Sequence, residues 1–257
     1  MVVTLKDLDN FFNKFLCKEN YPSDPSLNGI QIENSAPETK EIKKVAFAVD
    51  ACEATAKLAA EQGADVLVVH HGLFWGGCET ITGSFYKRVS SFIKNDLALI
   101  GYHIPLDANN PYGNNYGIAA ALNMKNLEDF GFWRGMCLGV KGRLSTPLTA
   151  QQLGDLVAEK LHTKCNVLPL GKEKIETVGI ISGGAGEDVD QAVEEGLDCY
   201  ITGEFAHEQY HYAEEMGINV IAGGHYGTET VGVSLLKNKV EQELGLETCF
   251  IHIPTGL

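Results

Sequence analysis

Short apolar runs alternate with longer stretches of helical spacing along most of this chain. Leu5, Leu8, Phe11, Phe12 and Phe15 recur at intervals of three and four, which predicts a first helix over residues 5–15 with one buried stripe. A polar stretch containing Pro22, Pro25 and Pro37 surrounds Leu27-Asn28-Gly29-Ile30-Gln31-Ile32 and reads as loop. Beyond it, apolar runs predict strands at residues 45–50, 66–71 and 97–103, and again at 178–182, 199–204 and 218–223. Helices are expected over 54–62, 85–95, 115–122, 188–195, 206–216 and 230–244. Residues 137–144, 149–161 and 165–170 read as a strand, helix and strand that connect the two groups. This alternation predicts the α/β class, with mostly parallel sheets flanked by helices.

An internal repeat sharpens the picture. Val45-Ala-Phe-Ala-Val-Asp50 aligns with Val178-Gly-Ile-Ile-Ser-Gly183, and without a gap Glu61-Gln-Gly-Ala-Asp65 aligns with Glu194-Glu-Gly-Leu-Asp198. The alignment reaches His70-His71 against Gly203-Glu204. With a different loop length, the third strands place His103-x3-Asp107 beside His225-x3-Glu229. The expectation is two pseudo-symmetric α/β halves, residues 1–125 and 126–257, forming one compact unit. Ligands of open α/β sheets collect at the carboxyl ends of the strands, so the polar strand ends of both halves are expected to meet in a cleft between them.

Composition narrows the functional classes. At 257 residues and 44% hydrophobic content the chain can bury a full core, so disorder is excluded as the starting point. The longest apolar runs are strand-sized, far short of the roughly 20 residues that span a bilayer. The N-terminal residues resemble neither a secretory signal nor a transit peptide, so a cytoplasmic location is expected. The seven cysteines are dispersed without a CxxC pair, as in a reducing compartment. A net charge of −14 opposes general affinity for nucleic acid or anionic membrane and is compatible with cations.

The candidate chemistry lies at the strand ends. His70 and His71 close an apolar strand and open into Gly72, where the backbone can turn and two imidazoles can serve neighbouring ions. Asp107 precedes a turn-forming run, and His225 and Glu229 share one face of any helical turn. Taken singly, each has an ordinary structural explanation as a cap or a hydrogen-bonded strand end. Together, His70, His71, Asp107, His225 and Glu229 offer imidazole and carboxylate donors suited to Zn, Fe, Mn or Ni more than to calcium. Five ligands would leave two ions with open positions, as catalysis requires. His103 and Glu204 are the candidate catalytic groups: His103 supports the ions or transfers a proton, and Glu204 orients a ligand or acts as general base, with a hydrogen-bonded core histidine and a helix cap as their alternatives. Phe74-Trp75 can stack on a base or pack against the sheet. Gly183-Gly-Ala-Gly186 matches no phosphate-binding pattern and reads as a tight strand-to-helix turn.

Val69-His-His-Gly-Leu-Phe-Trp75, Tyr102-His-Ile-Pro-Leu-Asp107, Thr202-Gly-Glu204, Ala222-Gly-Gly-His-Tyr-Gly-Thr-Glu229 and Leu27-Asn-Gly-Ile-Gln31 resemble the NIF-three-like family of dinuclear metal proteins, along essentially the whole chain. The resemblance implies a toroidal homohexamer and two divalent ions per subunit, with His71 and Asp107 on one, His70 and His225 on the other, and Glu229 bridging. Longer relatives carry a mid-chain insert for which this sequence has no room. Family members are often called GTP cyclohydrolase I type 2 homologues, which implies a metal-dependent hydrolase of a nucleotide or related small molecule. A non-enzymatic metal-binding or trafficking protein and a ring-shaped interaction scaffold are the competing readings.

Overall fold

A computed structural model describes residues 2–257. It resolves into two compact units: the chain up to Leu106 with Val233–Ile253, and Asp107–Gly232 with Pro254–Leu257. No helix among the described residues is long and apolar enough to cross a membrane.

The first unit opens with α1 (Leu5–Leu16), started by a capping box in which Thr4 and Asp7 exchange side-chain and backbone hydrogen bonds. Leu5, Leu8, Phe12 and Leu16 form its buried stripe. β1 (Gly29–Ile32) and β2 (Lys44–Asp50) follow, then α2 (Glu53–Glu61), β3 (Val66–His71), α3 (Gly83–Lys94), β4 (Ala98–Gly101) and the short α4 (Ile104–Ala108). The strands at residues 45–49 and 66–69 are buried throughout because helices must cover both faces of a parallel sheet, which explains their unbroken apolar runs. Ala46, Ala48, Leu67, Val69, Leu99 and Phe92 are among the residues of that core.

The second unit contains α5 (Asn114–Ala121), β5 (Lys125–Trp133), β6 (Met136–Leu148), α6 (Ala150–Leu161), β7 (Asn166–Leu168), β8 (Ile175–Ile181), α7 (Val189–Glu194), β9 (Cys199–Thr202), α8 (His207–Met216) and β10 (Asn219–Ala222). The long α9 (His225–Leu244) carries the chain back to the first unit, where β11 (Glu247–Phe250) joins the first sheet. The first sheet has the order β1-β4-β3-β2-β11, antiparallel only at β1. The second, β5-β6-β8-β9-β10-β7, is mixed, so the expectation of mostly parallel sheets is corrected there: β5, β6 and β7 all pair antiparallel. Residues 137–144, within β6, and 166–168 of the predicted 165–170, as β7, are therefore part of that sheet and not merely connecting structure. β5 and β6 form a hairpin whose two turn residues, Arg134 and Gly135, both have positive φ, the twist that matches paired strands.

The repeat is real at the level of register. Val45 pairs with Val66 in the first sheet as Val178 pairs with Cys199 in the second. Asp65 accepts the backbone N–H groups of Lys43 and Lys44, at 2.8 and 3.1 Å. Asp198, its counterpart, accepts those of Glu176 and Thr177, both at 3.0 Å. Each Gly-x-Asp turn thus ties the start of one strand to the start of the next. The third strands differ from expectation by one residue. Ala98 is level with Val66 and Asn219 with Cys199, which makes His225 equivalent to Ile104, not to His103. His225 is consequently the first residue of α9, whereas His103 sits in the bend before α4.

Candidate metal centre

In the first unit β3 ends on His70 and His71, whose ring centroids lie 4.6 Å apart. The turn that follows needs a glycine: a Cβ on Gly72 would fall 2.2 Å from the side chain of Gln31. Gln31 lies across this turn, accepting the N–H of Leu73 at 2.7 Å and donating to the carbonyl of Leu27 at 2.9 Å. Asn28 accepts the N–H of His103 at 2.8 Å. The Leu27–Gln31 motif, three of whose residues belong to an edge strand, therefore braces both histidine-bearing loops.

Each of the three imidazoles is held by Nδ1. The ring of His70 contacts the Tyr102 carbonyl at 3.1 Å, His71 the carboxylate of Asp50 at 2.8 Å, and His103 that of Asp24 at 2.9 Å. Carbonyls and carboxylates only accept, so Nδ1 is the donor in each contact, the tautomer in which Nε2 is the nitrogen left to bind a metal. One donor atom from each of His70, His71 and His103 lies within 4.8 Å of the others. Burial opposes ionisation of Asp24, yet hydrogen bonds from His103, Asn28 and the Ser26 N–H outweigh it and hold the carboxyl below its ordinary range. Sequence reading missed Asp24 and Asp50, because neither is near its histidine in the chain. The one available signal was that Asp50 closes the strand preceding β3.

In the second unit the imidazole of His225 is held by a carboxylate at each nitrogen. Its Nδ1 is 2.6 Å from Oε1 of Glu204, and its Nε2 is 3.2 Å from Oε1 of Glu229, four residues along α9. Burial works against the charged imidazole, but the carboxylates of Glu229 and Glu204 prevail and push its pKa up to about 9. Glu204 is thereby placed as the group that orients His225. Glu229 is only 3% exposed, and a Cβ on Gly183 would meet its Oε1 at 2.2 Å and His225 Nε2 at 3.2 Å. Gly183, at φ +67°, keeps a cradle open for both side chains. Asp107, also buried, accepts hydrogen bonds from Asn114 Nδ2 at 2.9 Å and Ser182 Oγ at 3.0 Å. An open cleft of about 610 Å³ runs along Lys164, Gly203, Glu204, Phe205 and Gly224. His207 stands apart, paired with His211 on an exposed face of α8.

This donor chemistry fits a divalent transition metal. Metal-ligating histidines characteristically donate their second nitrogen to a carboxylate or carbonyl, which fixes the tautomer and raises ligand basicity. His70, His71 and His225 all have that support, and the buried carboxylates of Asp107 and Glu229 supply the harder donors.

Known proteins resemble this chain along nearly its whole length. The family Duf34/NIF3 (NGG1p interacting factor 3) matches residues 3–256. A protein of Treponema pallidum named GTP cyclohydrolase 1 type 2 homolog is 42% identical over 99% of this chain and 100% of its own. Its namesake from Deinococcus radiodurans is also 42% identical, over 98% of this chain and 94% of its own. Among solved structures, TTHA1606 from Thermus thermophilus superposes with a TM-score of 0.89 at 35% identity, covering 99% of this chain and 100% of that one.

Proposed function

This chain belongs to the Duf34/NIF3 family, and from that premise we propose that it is a metal-dependent hydrolase of a nucleotide or related small molecule, working with two divalent cations. The residues that would hold them are His70, His71, Asp107, His225 and Glu229. The observation that carries the reading is the Nδ1 support of every histidine in that set: His70 by the Tyr102 carbonyl, His71 by Asp50 and His225 by Glu204.

When bound, such cations supply a Lewis acid and lower the pKa of water. The chain's own residues do the rest. Asp50 and Glu204 hold their imidazoles in one tautomer, and Ser182 and Asn114 fix the carboxylate of Asp107. To His103, held by Asp24 beside His70 and His71, we assign the transfer of a proton to or from a substrate atom. The name of the relatives makes GTP the first substrate to test. A homohexameric ring and a cytoplasmic location belong to the same proposal.

The test is to load purified protein separately with Zn, Fe, Mn and Ni and to assay GTP and a panel of phosphoesters, with Glu229→Gln as control. Metal-dependent turnover that disappears in the control supports the reading. Metal retention without turnover of any compound points instead to a binding or trafficking role. Sedimentation of the same samples reads the assembly.

A further inference from the structure

The adjacent aromatics Phe74 and Trp75 part company in the structure. Phe74 turns inward, packing edge-on against Phe85 at 5.7 Å and onto the core of the first unit. Trp75 stays 40% exposed. Its indole is nevertheless fixed, because Nε1 donates to the Gly72 carbonyl at 3.1 Å. With that donor satisfied by the local backbone, what the ring offers outward is a flat, polarisable apolar face.

That face stands beside the imidazole cluster. The Trp75 ring centroid is 5.0 Å from that of His103 and 6.0 Å from that of His71. One short segment locks the arrangement: Leu27 donates its N–H to the Phe74 carbonyl at 3.0 Å, while Asp24 and Asn28 hold the ring and backbone of His103. Gly76, at φ +78°, closes the turn against Pro25, where a Cβ would stand 3.1 Å from the Pro25 carbonyl. The Trp75 loop and the His103 loop are thus fixed to the same backbone.

We propose that Trp75 is the stacking platform for a planar nitrogen heterocycle whose polar edge is presented to His103. A pre-fixed indole costs little ordering entropy on binding, and every heteroaromatic ring has a π-face to lay on it. The proposal rests on the hydrolase reading for the chemistry that follows binding, but the stacking is read without turnover.

Tryptophan fluorescence tests it, since the chain has two tryptophans, Trp75 and Trp133. The full chain is titrated with guanosine, with GTP and with glycerol 3-phosphate, and affinities are checked by calorimetry. Guanosine and GTP are expected to quench the wild type and Trp133→Phe, and glycerol 3-phosphate to leave both unchanged. Trp75→Phe should lose the quench and keep the affinity, whereas Trp75→Ala should bind guanosine roughly ten-fold more weakly or worse. The Trp75→Ala protein should retain its metal, because the indole is not a donor. Quenching that survives in Trp75→Phe, an unchanged affinity in Trp75→Ala, or no heterocycle binding to metal-loaded wild type overturns the proposal and leaves the metal reading intact. Heterocycle binding to a chain that retains no metal overturns the hydrolase reading and leaves this one standing.

Discussion

Asp50 and His71 end neighbouring parallel strands at the same level, and Nδ1 of His71 lies 2.8 Å from Oδ1 of Asp50. Strand pairing alone delivers this contact, since the register that matches Val45 with Val66 also matches the two terminal residues. The carboxylate turns an ordinary strand-end histidine into an oriented donor.

Asp50→Ala is therefore expected to weaken metal binding by roughly 10–100-fold, the usual cost of removing a carboxylate behind a ligating imidazole. Asp50 is half-exposed, so thermal stability should change little. Competition with a chromogenic chelator measures the affinity. An unchanged affinity would mean that His71 is not a ligand.

Gly183→Ala brings a Cβ to 2.2 Å from Glu229 Oε1 at a backbone position with φ +67°. Left-handed geometry costs a non-glycine residue about 1–2 kcal/mol, and Glu229 must also leave its place. A modest fall in melting temperature is predicted together with loss of retained metal, read by metal analysis after desalting. Wild-type metal content in this variant would show that the cradle is not needed.

The strands that carry these residues were legible because parallel strands buried on both faces need unbroken apolar runs; residues 66–71 are the clearest case. β5 was not, since most of its residues are exposed and no apolar run marks it. The His-x3-acid likeness of 103–107 and 225–229 read one residue out of register, because spacing in sequence carries no information about where a helix begins. All five proposed ligands were visible as chemistry at strand ends. Their supports were less so: Asp24 is 79 residues from His103, and only folding brings them together. Glu204 was visible as a group that could orient a ligand, but its partner, His225, was not.

Asp198 yields a pH prediction. Burial alone would raise its pKa, but hydrogen bonds from Lys172 and from the backbone of Thr177 and Glu176 outweigh this and hold the carboxyl below its ordinary value of 3.8. A depressed folded pKa stabilises the protein above the unfolded value, and that contribution is lost as pH falls through the folded one. Asp198→Asn should lose about 2 kcal/mol at neutral pH, the scale of hydrogen bonds to a buried charge. In urea titrations the gap from wild type should narrow as pH falls below 3.8. A gap that stays constant with pH would contradict this account.

The central claim is that His70, His71, Asp107, His225 and Glu229 hold divalent cations. Elemental analysis of metal-loaded, desalted protein tests it most directly when wild type is compared with His71→Ala and His225→Ala. The account predicts two ions per chain in the wild type and a loss of bound metal in each variant. Wild-type protein that retains no metal, or variants that retain as much as the wild type, would contradict it.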